Sequence, residues 1–253
     1  GDSWRDVGAA RAAKIYAYGV RTGIGCKDCR GMYKPDLIFE DVLEAVKFAV
    51  KGIKQAENLA EKFIGKIDKT NHPLIIGICG LSRSGKSTFS HALVKSLRKK
   101  KIKVLHIRLD DWILPFSLRQ PSQSLEDRLQ TKIYSEIFGA KLTRRKIVAG
   151  GYDPLTRDFS ESREYRIYDQ KVIIIDGLFA CHETIRENLD YKIYLETNTK
   201  LLYQRFYRFY RWKGCGDNHI EKIFKERKTN EWPAIESQKT HVDQIIKIRK
   251  EHA

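Results

Sequence analysis

Gly80-Leu81-Ser82-Arg83-Ser84-Gly85-Lys86-Ser87 constrains this chain more than any other stretch. It satisfies G-x-x-x-x-G-K-[ST] at every fixed position, and its surroundings fit the pattern. Leu74 to Cys79 is an apolar run of the length of a buried strand, and Thr88 to Leu97 carries apolar residues at helical spacing. A strand, a glycine-rich loop and a helix in that order turn backbone N–H groups and a helix N-terminus toward a polyphosphate. The loop residues Gly80, Ser82, Arg83, Ser84, Gly85, Lys86, Ser87 and Thr88 are therefore the expected nucleotide-binding set. Lys86 would reach the phosphates and the Ser87 hydroxyl would bind Mg²⁺. ATP and Mg²⁺ are the cofactors this implies.

The strands that follow end in acids. Ile102 to Leu109 reads as a strand running into Asp110-Asp111-Trp112, and Val172 to Ile175 as a fully apolar strand ending at Asp176. Further strands are expected at Arg163–Tyr168, Tyr191–Leu195 and Val242–Ile248, with helices over Ser124–Phe138, Lys200–Trp212 and Asp217–Ser237; Gly150–Pro154 reads as loop. Alternating strands and helices predict an α/β fold, a doubly wound parallel sheet covered on both faces. Ligands bind such sheets at the carboxyl ends of the strands. Asp110 there is the expected acid that orients an acceptor hydroxyl, and Asp176 is an expected Mg²⁺ ligand. Asp111 beside it points to the other side of the chain and is the less favoured of the two for that role, a helix cap or loop anchor being the alternative for either. In the helix Gln204 to Gly214, Arg205, Arg208 and Arg211 stand three apart and share a face, a row suited to charge on a transferring phosphoryl group. Arginines among aromatics also describe single-stranded nucleic-acid surfaces.

Residues 1–70 read as an N-terminal helical arm preceding an α/β domain at 71–253. A helix is expected over Arg5–Tyr18 and one long helix over Asp36–Ile67, roughly 48 Å in length. Its apolar seam runs through Phe39, Leu43, Val46, Val50, Ile53, Ala60, Ile64 and Ile67. That seam needs a partner: the domain, the first helix, or a second copy in a homo-oligomer. Gly23, Gly25 and Gly31 break the pattern around Cys26-x-x-Cys29, half of a structural zinc site or two ordinary thiols in a turn. An odd five cysteines suit reduced thiols in a cytoplasm, and no stretch is apolar enough to cross a membrane. Trp4 to Lys14 mixes charge as a signal peptide does not. The formal charge of +16 suits a protein that handles phosphates and is compatible with nucleic acid, the less favoured partner.

From residue 73 onward the chain resembles the uridine kinase / phosphoribulokinase family of phosphate-loop kinases. Ile78 to Ser87, Leu109-Asp110-Asp111-Trp112-Ile113, Tyr152-Asp153-Pro154-Leu155-Thr156-Arg157, Gln204 to Gly214 and the closing stretches at Trp232–Glu236 and His241–Ile246 come in the family's order. The resemblance implies a catalytic set of Lys86, Asp110, Arg205 and Arg208, the arginines lying in a mobile lid near 200–216. It implies an acceptor site with Asp110, Trp112, Tyr152 and Arg157. Uridine kinases carry a histidine at the position of Arg157, and many relatives a glutamate at that of Asp176. The implied activity is ATP-dependent phosphorylation of a hydroxyl on a small molecule, nominally a nucleoside; an arginine in the acceptor segment suits an anionic or sugar-like acceptor.

Overall fold

The computed structural model describes residues 1–30, 33–51, 53–67, 72–120, 122–132, 134, 145–159 and 162–248. The chain opens with α1 (Trp4–Ala12), β1 (Tyr18–Val20), β2 (Leu37–Phe39), α2 (Val42–Lys51) and α3 (Lys54–Ile67). β3 (Leu74–Cys79), α4 (Lys86–Lys99) and β4 (Val104–Arg108) follow. A short α5 (Leu125–Arg128) precedes β5 (Arg145–Ala149), β6 (Tyr152–Asp153), β7 (Asp158–Phe159) and β8 (Arg163–Ile167). The last third contains β9 (Val172–Asp176), α6 (Glu183–Arg186), β10 (Tyr191–Thr197), α7 (Thr199–Trp212), α8 (Asp217–Asn230), α9 (Trp232–Glu236) and β11 (Gln244–Ile248).

The central sheet has the order β11-β10-β3-β9-β4 and every pair in it is parallel. β3 lies in the middle, so the phosphate loop leaves the sheet at its centre. Side chains alternate between two cores as strand geometry requires. Ile174 of β9 and Ile76 and Ile78 of β3 join Phe89, Leu93 and Leu97 of α4 on one face. Ile173 and Ile175 join Trp112, Tyr165, Phe179 and Ile185 on the other. The expected doubly wound parallel sheet is the one observed.

The N-terminal 70 residues depart from the expected helices. Residues 36–39 are not helical: Leu37-Ile38-Phe39 form β2, paired in parallel with β1, and Tyr18 belongs to β1 rather than to the first helix. Apolar and aromatic residues in a row satisfy a strand as well as a helix, and the paired neighbour decides between them. The remainder divides into α2 and α3, with a helix-disfavouring glycine in the sequence at position 52. The seam is also misplaced on α2, where Leu43, Val46 and Val50 are exposed while Ala45 and Phe48 face inward. On α3 the buried face is Ala56, Leu59, Ala60, Phe63 and Ile67, packed with α4 and the sheet. One continuous core thus runs across residue 70. Ile133, Ile137 and the helix expected to extend to 138 lie largely outside the described residues. Gly150–Pro154, read as loop, contributes β6 to a small antiparallel pair with β7.

Candidate active site

The phosphate loop is a close-fitting turn. Gly80 has φ +142°, and a Cβ there would stand 2.5 Å from the Leu195 carbonyl oxygen of the neighbouring strand. Gly85, the residue before α4, has φ +100°, which a side chain rarely adopts. Arg83 holds φ +66° without being glycine. The Lys86 ammonium donates to the Gly80 and Leu81 carbonyl oxygens, both at 2.9 Å, and so folds back over the loop. Burial lowers its pKa, with Asp110 and Asp176 pulling the other way. The loop is pinned from outside where Thr197 Oγ1 donates to the Ser84 carbonyl oxygen at 2.8 Å. Arg205 Nη1 reaches that same oxygen at 3.3 Å, which sets α7 against the loop.

Three acids meet beside the loop in different environments. Asp176 ends β9, buried, with its register partners Ile78 on β3 and Arg108 on β4. Burial would raise its carboxyl, but His106, at 3.3 Å from Oδ2, and then Arg108 and Lys86 outweigh it and hold it below the ordinary range. Oδ2 is buried and has no aligned hydrogen-bond donor. Asp110 and Asp111 occupy a single turn of 3₁₀ helix after β4. Burial raises the Asp110 carboxyl above its ordinary range against the pull of Arg108. Asp111 is more deeply placed: it accepts from the Tyr165 hydroxyl and pairs with Arg163 Nε at 3.2 Å. Its backbone carbonyl takes the Gly151 N–H at 3.1 Å, tying the acceptor segment to this turn.

These groups line a single cleft of about 1250 Å³. Of the expected acceptor residues, Asp110, Tyr152 and Arg157 line it. Trp112 does not: it is 5% exposed and stacks on Tyr165 at 5.6 Å in the core, so it supports the acidic turn from behind. The Arg157 backbone is left-handed at φ +63°, and its guanidinium lies 3.7 Å from the centre of the Phe116 ring. Asp153, a conceivable partner, is taken by Lys34 at 3.5 Å and by the Leu155 N–H. On α7, Arg205 and Arg208 line the cleft, while Arg211 turns away to Asp217 at 3.3 Å. The row of three is thus a pair facing inward and one arginine tying two helices together.

Several cleft residues escaped the sequence reading. Arg119 and Arg128 line it from the stretch before and within α5, Arg163 from β8, Lys213 from the end of α7 and Arg227 from α8. More unexpectedly, so do Arg21, Lys34, Glu40, Glu44 and Phe48 from the N-terminal residues. The indole N–H of Trp212, at the end of α7, donates to the Gly25 carbonyl at 2.9 Å and joins lid to N-terminal loop. Nothing local marks such residues, because their role depends on where the chain returns in space. Cys26 and Cys29 are buried free thiols, and among the described residues no cluster of three or more ligating side chains could hold a metal ion. Burial raises the pKa of both.

A phosphate loop at the centre of a parallel sheet, with acids at the neighbouring strand ends and an arginine-bearing helix across the mouth, defines a P-loop kinase fold. Comparison with known proteins narrows this. Residues 151–253 match the model of the phosphoribulokinase / uridine kinase family. A uridine kinase of Staphylococcus epidermidis is 30% identical over 189 residues, covering 70% of this chain and 88% of that protein. A uridine kinase of Streptococcus gordonii is 27% identical over 70% of this chain and 87% of its own length. The chain belongs to the phosphoribulokinase / uridine kinase family. Solved structures agree on the fold. A Silicibacter protein described as a candidate fructose transport system kinase superposes with TM-score 0.62 at 16% identity, covering 76% of this chain and 98% of its own. The D-glycerate 3-kinase of Cryptococcus neoformans superposes with TM-score 0.51 at 13% identity, covering 79% and 98%. Among the described residues, no helix is long and apolar enough to cross a membrane.

Proposed function

We propose that this kinase transfers the γ-phosphate of ATP to a hydroxyl of a small, oxygen-rich or anionic acceptor. The observation that carries the reading is the shared cleft, with Lys86, Asp110, Arg205 and Arg208 around one volume and Arg157 on its acceptor side. Lys86 exchanges its two loop carbonyls for phosphate oxygens when nucleotide binds. Asp110, raised by burial, accepts the proton of the acceptor hydroxyl as that oxygen bonds to phosphorus and the bond to the ADP oxygen breaks. Arg205 and Arg208 stabilise charge on the phosphoryl group in transit. The buried carboxylate of Asp176, approached by His106 but with no aligned donor on Oδ2, and the hydroxyl of Ser87 suit a hard cation or its bound water, so these two residues would hold Mg²⁺. The ion would neutralise charge on the phosphates.

The relatives named uridine kinase make uridine the first acceptor to test, and Arg157 argues against it. A guanidinium pairs best with carboxylate or phosphate oxygens, whereas a pyrimidine edge is neutral. Among the described residues Arg157 forms no ion pair; it is braced on Phe116 and lines the cleft. The test is ATP consumption across uridine, cytidine, pantothenate, glycerate, sugars and sugar phosphates, for the natural protein and Arg157→Ala. Turnover on an anionic or polyhydroxy acceptor, lost selectively in the variant, is expected. Efficient uridine phosphorylation unchanged by Arg157→Ala would restore a plain nucleoside kinase.

A further inference from the structure

The two N-terminal strands deliver an ion pair to the mouth of the cleft. In the parallel register Val20 lies opposite Phe39, so the next residues, Arg21 and Glu40, emerge side by side from the strand ends. Arg21 Nη1 is ion-paired with Glu40, and both residues line the cleft. The guanidinium also stands 5.6 Å from the ring centres of Phe209 and Trp212 on the lid helix. Arg83 of the phosphate loop sits over the same Phe209 ring at 3.3 Å. One lid aromatic therefore holds together a cation from the loop and a cation from the N-terminal residues. Burial, and after it Arg21, bring the Arg83 pKa down to about 10.

Arg21 is also incompletely satisfied. Its Nε is buried without a hydrogen-bond partner, although its side chain carries a fixed charge and Glu40 engages only the Nη1 edge. A guanidinium offers Nε and an Nη side by side, the pair of donors that grips two oxygens of one phosphate. An arginine held by one edge, with the other donor orphaned and a like charge nearby, is poised to exchange its carboxylate for a better anion.

We propose that Arg21 is a phosphate-binding residue supplied by the N-terminal strands, which leaves Glu40 for the phosphate chain of the bound nucleotide and closes the site together with Arg83 and the lid. Glu40 is then a stand-in anion, occupying Arg21 when the cleft is empty. This rests on the reading of the cleft as a nucleotide site, and the two can fail separately.

The experiment measures dissociation constants of ATP and of inorganic tripolyphosphate for the full chain by calorimetry, at fixed ionic strength. Arg21→Gln is expected to weaken ATP by at least about tenfold, with Arg21→Lys between it and the natural protein. Glu40→Gln is expected to tighten both ligands, because the competing carboxylate is gone. Opposite signs for the two substitutions distinguish a ligand-binding arginine from a structural ion pair, whose halves would weaken binding alike. Equal losses in both variants, or an unchanged Kd in Arg21→Gln, overturns the proposal while leaving the nucleotide site standing. A natural protein that binds neither ATP nor tripolyphosphate overturns both. Melting temperatures taken alongside identify a variant that has not folded, and Arg21→Lys then provides the comparison with Glu40→Gln.

Discussion

The phosphate loop and the N-terminal strands line the same cleft but are held in different ways. The loop is fixed by its backbone: two glycines at positive φ, a lysine folded on its own carbonyls, and a threonine of the next strand clamping Ser84. Its conformation is local and its sequence correspondingly strict. The N-terminal residues are fixed by side chains that come from far along the chain. Lys34 reaches Asp153, Tyr18 approaches His91, Trp212 reaches Gly25, and α3 packs on α4. A backbone-determined site leaves a motif; a packing-determined wall leaves only a composition that suits burial.

The comparison predicts that substitutions in the loop remove chemistry while those in the N-terminal packing, apart from Arg21 at the cleft mouth, remove stability. Lys86→Ala has the largest expected effect, a loss of phosphoryl transfer of on the order of 10³-fold or more with the fold retained. Turnover with the true acceptor, set beside a circular dichroism spectrum, checks it. A loss of both together would mean that the lysine supports the loop rather than the phosphates.

The two adjacent acids bring the contrast down to one residue. Asp110→Asn should cut turnover by about 10²–10⁴-fold while ATP affinity holds. Asp111→Asn should instead cost stability, about 1–3 kcal/mol, because half-exposed Arg163 and the Tyr165 hydroxyl lose a charged acceptor. Paired kinetics and denaturant melts separate them, and exchanged phenotypes would reverse their roles.

On the N-terminal side, Phe63→Ala should destabilise the whole protein by about 3–5 kcal/mol in one cooperative transition. Phe63 is fully buried and meets Tyr191 of the central sheet edge-on at 5.1 Å. An early melting step with the kinase core unaffected would show the N-terminal helices to be a separate unit.

A smaller effect is reserved for pH. His91 on α4 lies under Tyr16, Tyr18 and Phe48, and burial pushes its pKa down to about 4 from 6.5. The unfolded chain then binds the proton more readily than the native one between those values. Stability is therefore full above about pH 6.5 and falls as the pH drops toward 4, by up to about 3 kcal/mol. His91→Gln should flatten that part of the stability profile, measured by urea melts at a series of pH values. A slope equal to that of the natural protein would assign the acid sensitivity to other groups.

Much of this architecture was legible in sequence, unevenly and for physical reasons. Apolar strands ending in acids, such as Val172–Asp176, could be placed because burial on both faces leaves no alternation to misread. The helix that brings Arg205 and Arg208 to the cleft was legible because the two arginines repeat at helical spacing. Leu37-Ile38-Phe39 fits either period as three apolar residues in a row, and only β1, whose residues pair with it from nineteen positions earlier, settles the matter. Trp112 illustrates the limit of a motif: its position in the acid-bearing turn is as the resemblance implies, yet its ring faces the core. Arg21 and Lys34 left no signal, since each works through a partner far along the chain.

The bond from the Trp212 indole to the Gly25 carbonyl gives the lid an optical readout. Of the four tryptophans in the sequence, Trp212 alone both ends the lid helix and lines the cleft, while Trp112 is sealed in the core. Were α7 to swing from the N-terminal loop, that indole would exchange a carbonyl for water and its emission would move to the red, while that of Trp112 in the core stayed constant. Such a movement would therefore be written in the intrinsic fluorescence of the unlabelled protein, and a stopped-flow trace following nucleotide addition would report its rate directly.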